Sequence, residues 1–535
     1  MSPQVGNAAA DVGDDFSPGT PQASPADPRG FRDPVSRWLL ALAGVIAAAV
    51  GLALSEGVAT ALRAESSPVT AVAAAVRDFT PGPLAVFLVE LVGFLDKPLL
   101  LGGTGVVVLG ICGYAASWVR RFPLLPDLVF FVLAGLGLAA VLHQPRPGTG
   151  SALALMVGLV SWIVTLRLLT APLLDDSPWE APDLRRRAFL IRSTWAVGGT
   201  AVLTLAGRWA GSGRRHVEQA RRLLRLPVTR GAVPVGASLA VDGIEPWRTP
   251  NRDFYVINTA LAPPSIAPED WQLKIHGLVD REMTLGYQDL IDRRLTEAWI
   301  TLCCVSNKVG GDLIGNAWWS GVLVRELLAE AGVRPGADAV LQTSRDGWTC
   351  GTPLAALTDD RNAMLAVAMN GRPLPVEHGF PVRMVVPGLY GYVSATKWLV
   401  DIEVSRFADI SAYWTERGWS EKGPVKTQSR IDVPRDGASV AAGSTRIGGS
   451  AWAQHTGIEK VEYQLDGGPW REAELGRVPG ADTWVQWADT VEVDSGEHRV
   501  VVRATDRSDY TQTAVEADEL PDGATGWHSV AFDAS

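Results

Sequence analysis

Residues 301–332, TLCCVSNKVGGDLIGNAWWSGVLVRELLAEAG, place two adjacent cysteines on an extended stretch, break it with a polar Gly- and Asn-containing turn, and end in a helical repeat. SGVLVRELLAEAGV reads as an amphipathic helix, while DFYVINTA (253–260) and WQLKIHGLV (271–279) upstream alternate as strands. Strands, turns and helices intermixed in this way predict an α+β domain. Neighbouring Cα atoms sit about 3.8 Å apart, below the roughly 4.4 Å that a disulfide needs, so Cys303 and Cys304 are poor partners for each other. At least one of these sulfurs has another task. Cys112 lies in an apolar run and Cys350 stands alone, which leaves no disulfide framework to propose.

The chain has 535 residues, too many for one ordinary core, and its apolar residues are unevenly spread. A formal charge of −10, with no basic stripe carrying interleaved aromatics, argues against nucleic acid. Residues 1–37 are rich in Ala, Pro, Gly and Asp without apolar periodicity and read as a disordered cytoplasmic tail. Residues 38–210 read as a transmembrane region with five apolar spans near 38–55, 98–118, 125–143, 151–170 and 189–207. The segment 83–95 is apolar but short, contains Glu90 and ends at Asp96 and Lys97, so it reads as interfacial or re-entrant.

Lys and Arg near the spans set orientation. Arg29, Arg32 and Arg37 precede the first span, Arg120 and Arg121 follow the second, and Arg185, Arg186 and Arg187 precede the fifth. All three clusters share one side if the N-terminus is cytoplasmic, which puts everything beyond residue 210 outside the cytoplasm. The basic run GRRHVEQARRLLR (213–225) conflicts with this rule. RRRAFLIRSTWAVGGTAVLTLAG (185–207) supplies a reason, because its paired arginines and mildly apolar run resemble a twin-arginine export signal, here internal. An ordinary stop-transfer helix is the alternative reading.

Three stretches carry a family resemblance: TPNRDFYVINTA (249–260), residues 301–332, and MNGRPLPVEHGFPVRMVVPGLYGYVSATKWLVDIEV (369–404). Together they resemble the sulfite oxidase family of molybdopterin enzymes. The third is the most specific, with His378, Gly379, Phe380, Pro381, Arg383, Pro387, Gly388, Lys397 and Trp398 in the family's order. The resemblance implies a molybdopterin-binding oxidoreductase domain over 245–410 and an immunoglobulin-like dimerisation domain over 425–535. It aligns Cys304, not Cys303, with the metal thiolate, so Cys304 is the metal ligand and catalytic centre and Cys303 packs. A soft thiolate suits a redox-active metal. The resemblance also places Phe254, Tyr255, Asn258, Asn307, His378, Arg383 and Lys397 around the pterin and its phosphate, which calls for cations and N–H donors.

The pattern departs from the family at the substrate pocket. Sulfite-oxidising members surround their dianion with arginines and a tyrosine, where this chain has Ile257, Lys308, Val309 and Val367. Losing donors at a buried dianion costs several kcal/mol, on the order of 2–7 per polar group. The chain is therefore read as a molybdenum-cofactor oxidoreductase catalysing two-electron oxygen-atom transfer on a substrate other than sulfite, with Lys308 and Tyr390 or Tyr392 as substrate contacts. The alternatives are sulfite oxidase proper, a sulfoxide or N-oxide reductase, or a tethered binding protein on a dead oxidoreductase fold.

IEKVEYQLDGGPW, DTWVQWADTVEV and EHRVVVRATD alternate as strands near the C-terminus, and DGG marks a hairpin turn needing positive φ. This spacing predicts a β-sandwich without an intersheet disulfide. No Cys-x-x-Cys-His occurs, and His143 alone lies at a span, so no haem is expected in this chain. A separate cytochrome or quinone-linked electron carrier is the implied partner, with a homodimer through the sandwich.

Overall fold

The computed structural model describes residues 34–62, 64, 66–81, 96–144, 148–174, 182–210 and 213–535. The tail up to residue 33 and the apolar segment 83–95 lie outside the described residues. Five helices are long and apolar enough to cross a membrane: α1 (Pro34–Ala61), α3 (Asp96–Ser117), α4 (Leu125–His143), α5 (Thr149–Leu174) and α6 (Pro182–Ala210). A shorter helix, α2 (Pro68–Phe79), was not foreseen; it packs Ala71 against Ala140 and Val141 of α4, and Phe79 stacks on His143 at 5.5 Å.

Small residues let these helices approach closely, as lipid gives no hydrophobic drive between them. A Cβ on Gly51 of α1 would strike the Trp162 indole of α5, whose Nε1 donates to the carbonyl of Ala48 at 3.0 Å. Arg37 at the start of α1 lies over Trp118 after α3, at 4.8 Å, and Arg120 donates to the carbonyl of Leu173 near the end of α5. These arginines gather at one end of the bundle. Lys97, at the other end of α3 and so about 30 Å away, is hydrogen-bonded to the soluble half.

After α6 comes the basic helix α7 (Gly213–Leu223), which buries Val217 in the soluble core. The α+β unit contains two sheets. One has the strand order β2-β1-β10-β5-β6, built from β1 (Gln272–Gly277), β2 (Met283–Gly286), β5 (Ala339–Ser344), β6 (Thr349–Pro353) and β10 (Leu399–Ser405). The other runs β3-β4-β7-β8, with β3 (Thr296–Cys303), β4 (Ile314–Leu323), β7 (Met364–Met369) and β8 (Arg372–Pro373), and β9 (Arg383–Val385) pairs with β7. Short helices α8 (Tyr287–Ile291), α9 (Val324–Ala331) and α10 (Leu354–Thr358) cover them.

Two local expectations are corrected. DFYVINTA forms no strand: it is irregular from Asp253 onward, because Phe254 turns back to bond the carbonyl of Pro250 and no neighbouring strand offers a ladder. The amphipathic helix begins at Val324 rather than Ser320, since Ser320 to Leu323 pair with β7 in β4.

The C-terminal region is a β-sandwich of two sheets, built from β11 (Gln428–Val433), β12 (Ala438–Val440), β13 (Gly443–Trp452), β14 (Ile458–Leu465), β15 (Arg471–Glu472), β16 (Glu474–Leu475), β17 (Val485–Val493), β18 (Gly496–Asp506) and β19 (His528–Ala534). The four-stranded sheet runs β11-β13-β17-β16 and the five-stranded sheet β12-β19-β18-β14-β15. The DGG turn follows β14 (Ile458–Leu465), with Asp466 and Gly467 at φ +50° and +70°, a conformation that glycine adopts without Cβ strain. Trp247 and Trp484 join this sandwich to the α+β unit through reciprocal indole–carbonyl hydrogen bonds of 3.2 and 2.9 Å. Thr301 of β3 adds two more, its amide donating to Asp482 O at 2.9 Å and its hydroxyl accepting from the Trp484 amide at 2.8 Å. The strand that delivers the cysteines is thereby fixed by both units.

Candidate active site

β3 ends at Cys303, whose side chain is buried in the main core of the α+β unit with Val305 and Tyr390. Cys304 begins a loop that returns at Leu313. Its amide donates to the Leu313 carbonyl at 2.9 Å, and the Asn307 amide donates to the Cys304 carbonyl at 3.2 Å. The Asn307 carboxamide oxygen accepts from the Leu313 amide at 2.8 Å, so this side chain braces the loop from inside. Arg430 of the sandwich holds the far side by donating to Gly311 O at 2.8 Å. Burial pushes the Cys304 thiol above the usual cysteine range, against the Ser306 and Val305 donors and the Lys397 charge, which favour the thiolate.

A second group converges from residues 378–397. Gly379 has φ +107°, and its missing Cβ leaves Arg383 and Lys397 room to flank the turn. Arg383 is 5% exposed, yet its guanidinium reaches only carbonyls among the described residues: Met384, His378 and Ala395, at 3.2–3.4 Å. It also lies 5.2 Å over the Trp319 ring. The half-buried Lys397 donates to Glu377 O at 3.3 Å and is held down to about 7 by burial and the Arg383 and Lys97 charges. His378 Nε2 donates to the carbonyl of Asn251 at 2.9 Å, and burial together with the Arg383 charge lowers its pKa to about 4. A buried cation without a carboxylate is costly unless an anion joins it. This donor set therefore fits a large anionic ligand.

Phe254 closes one side, edge-on to His378 at 5.6 Å and to Trp319 at 5.7 Å, and stacks on Tyr255. The Tyr255 phenol is pushed up by burial and by Cys304 and Cys303, with Arg383 opposing. Phe254, Tyr255, Cys304, His378, Arg383 and Lys397 thus come together. Asn258, three residues beyond Tyr255, turns its carboxamide oxygen away to accept from Lys97 at 2.8 Å.

The expected substrate contacts are placed differently. The Tyr392 hydroxyl donates to Ser420 O at 2.8 Å and its ring packs on Trp419, in the linker before the sandwich. The Tyr390 hydroxyl likewise turns toward the sandwich and accepts from the Lys426 amide at 3.3 Å. Lys308 is exposed on the Cys304 loop. Sequence reasoning missed Trp319 and Lys97; the paired tryptophans of NAWWSG were a visible signal for the first, whereas Lys97 is distant in sequence and had none.

Residues 260–414 match the model of the oxidoreductase molybdopterin binding domain. The sulfite oxidase of Gallus gallus is 30% identical over 313 residues, covering 49% of this chain and 68% of that protein. The chain belongs to the sulfite oxidase family. An uncharacterized oxidoreductase of Bacillus subtilis, YuiH, is 32% identical over 34% of this chain and 87% of its own length. The chain spans about half the length of the Homo sapiens and Rattus norvegicus sulfite oxidases, 56% and 50%. The sulfane dehydrogenase SoxCD from Paracoccus pantotrophus is a structural neighbour at 22% identity and TM-score 0.48, over 60% of this chain and 92% of that one. This sulfite oxidase family member is an oxidoreductase with a molybdopterin cofactor and a run of membrane-length apolar helices.

Proposed function

We propose that this protein carries out two-electron oxygen-atom transfer at its molybdopterin cofactor, on the extracytoplasmic face of the membrane, with a substrate other than sulfite. The observation that carries this reading is the buried Arg383, whose guanidinium meets carbonyls and no carboxylate among the described residues, beside the half-buried Lys397 and the buried Cys304 thiol. Cys304 is the metal ligand. Among the described residues no three His, Cys, Asp or Glu side chains converge to hold a metal by themselves, so the thiolate is one donor of a set that the pterin completes. Arg383, Lys397 and His378 take the phosphate and pterin edge, Tyr255 and Phe254 wall the pocket, Asn258 follows on the same segment, and Asn307 serves the site by bracing the cysteine loop. When bound, the cofactor supplies a metal that exchanges an oxygen atom and two electrons with substrate.

The substrate argument rests on what replaces the family's anion-binding side chains. Val367 is fully buried in the core, Val309 faces Gly526 of the sandwich, and Ile257 is 49% exposed. None can pair with a dianion, which favours a neutral or less charged oxide such as a sulfoxide or N-oxide. The arginine-rich end of the helix bundle, opposite the catalytic unit, supports a cytoplasmic N-terminus. Twin-arginine export, a separate cytochrome or quinone-linked electron carrier and a dimer through the sandwich belong to the same reading.

Elemental molybdenum and pterin analysis of the full chain, purified after native expression, tests the assignment together with Cys304→Ser. The parent holds about one metal per chain and the variant loses it; a Cys304→Ser chain with full metal-dependent activity overturns the ligand choice. Turnover of sulfite at micromolar KM with no reduction of dimethyl sulfoxide or trimethylamine N-oxide overturns the substrate class.

A further inference from the structure

Two residues of the membrane region reach the segment that follows Tyr255 of this site. Lys97, in the first turn of α3, donates to both the main-chain oxygen and the carboxamide oxygen of Asn258, each at 2.8 Å. Arg77, in the last turn of α2, donates through Nη1 to the carbonyl of Thr259 and stands 6.0 Å over the Tyr413 ring. Side chains from two helices thus meet consecutive residues of one segment.

Tyr255 stacks on Phe254 and Ala260 is buried in the core, but between them the segment has no regular structure. Residues 255–260 pair with no strand, and among the described residues their hydrogen bonds come from Lys97 and Arg77. Ordering an irregular segment costs about 1–2 kcal/mol of backbone entropy per residue, so these bonds bear on whether it is ordered at all. A hydrogen bond to a charged group contributes about 1.5–3 kcal/mol. Lys97 also adds charge to the pocket, since its field reaches Lys397 beside Arg383.

We propose that Lys97 and Arg77 are positioning residues of the catalytic centre: acting through Asn258 and Thr259, they hold the segment bearing Tyr255 and Asn258 against the Cys304 pocket. The membrane region is then a working part of the active site as well as its anchor. The catalytic part of this inference rests on the function proposed above; the ordering of the segment does not.

The test uses the full chain in detergent or lipid nanodiscs, with Lys97→Met, Arg77→Met and the charge-keeping Lys97→Arg. Limited proteolysis by thermolysin within residues 255–260 accelerates about tenfold or more in the two Met variants and stays near the parent rate in Lys97→Arg, as loss of a charged hydrogen bond that orders the segment requires. Molybdenum content is retained, while KM for whichever of dimethyl sulfoxide or sulfite the parent turns over rises about tenfold, and kcat moves less than KM. Unchanged cleavage in both Met variants overturns the proposal. Faster cleavage with unaltered KM and kcat also overturns it, by showing a mechanical tether only. If the parent carries no molybdenum the functional reading fails, and the cleavage comparison alone then decides whether Lys97 orders the segment.

Discussion

A Cβ placed on Gly379 would stand 3.0 Å from the Cβ of Arg383, and as far from the Cβ of Lys397 on the other side. The turn at residue 379 therefore sets the separation of the two cations, and it does so at φ +107°, where an L side chain is strained. Gly379→Val is expected to cost about 1–3 kcal/mol in strain and to push Arg383 and Lys397 apart. Thermal unfolding followed by tryptophan fluorescence reads the first effect, and pterin content of the purified chain the second. Native-like pterin loading would show that the spacing of the cations is unimportant.

Among the described residues Arg383 has carbonyl partners but no carboxylate, so in protein made without cofactor it is a buried charge without its counter-ion. Arg383→Met should leave cofactor-free protein as stable as the parent or more so, by up to about 4 kcal/mol, while abolishing cofactor retention. A strongly destabilised cofactor-free variant would mean that the guanidinium serves the fold rather than a ligand.

His378 is lowered to about 4 by burial and by Arg383, below the ordinary histidine value near 6.5. The unfolded chain then binds the proton more readily than the native one. The stability contributed by neutral His378 is complete above pH 6.5 and is lost as pH falls toward 4, by about 3 kcal/mol at most. His528, lowered to about 4 as well, adds in the same window. His378→Gln should reduce the slope of melting temperature against pH between 4 and 6.5. An unaltered slope would place the proton uptake elsewhere.

Tyr392 bonds Ser420 O through a largely buried hydroxyl. Tyr392→Phe should cost about 1 kcal/mol of stability with KM and kcat unchanged. A raised KM in a stably folded variant would return this residue to the substrate pocket.

Much of this protein was readable from local pattern. Apolar length marks a membrane helix because 1.5 Å per residue must span a hydrocarbon layer of fixed thickness, and strand alternation in the sandwich reflects one buried and one wet face. The order of Cys304, His378, Arg383 and Lys397 carried the family, since each residue type is dictated by the chemistry of what it would hold. DFYVINTA alternates like a strand and is not one, because a strand exists only if a neighbour supplies the ladder. Tyr390 and Tyr392 follow the cofactor motif in sequence yet turn toward the sandwich and its linker, which offered their hydroxyls partners that no local pattern encodes.

The sequence by itself therefore determined most of the kinds of element present and the cofactor class, and it offered Cys304 as the sulfur for the centre. Tertiary structure alone decided that Gly379 spaces the two cations, that Arg383 meets carbonyls and no carboxylate among the described residues, and that Lys97 meets Asn258 across 161 residues of chain. The division has a physical cause. Periodicity and residue chemistry are properties of a short stretch, whereas the partner of a buried charge is chosen by packing among segments far apart in the chain.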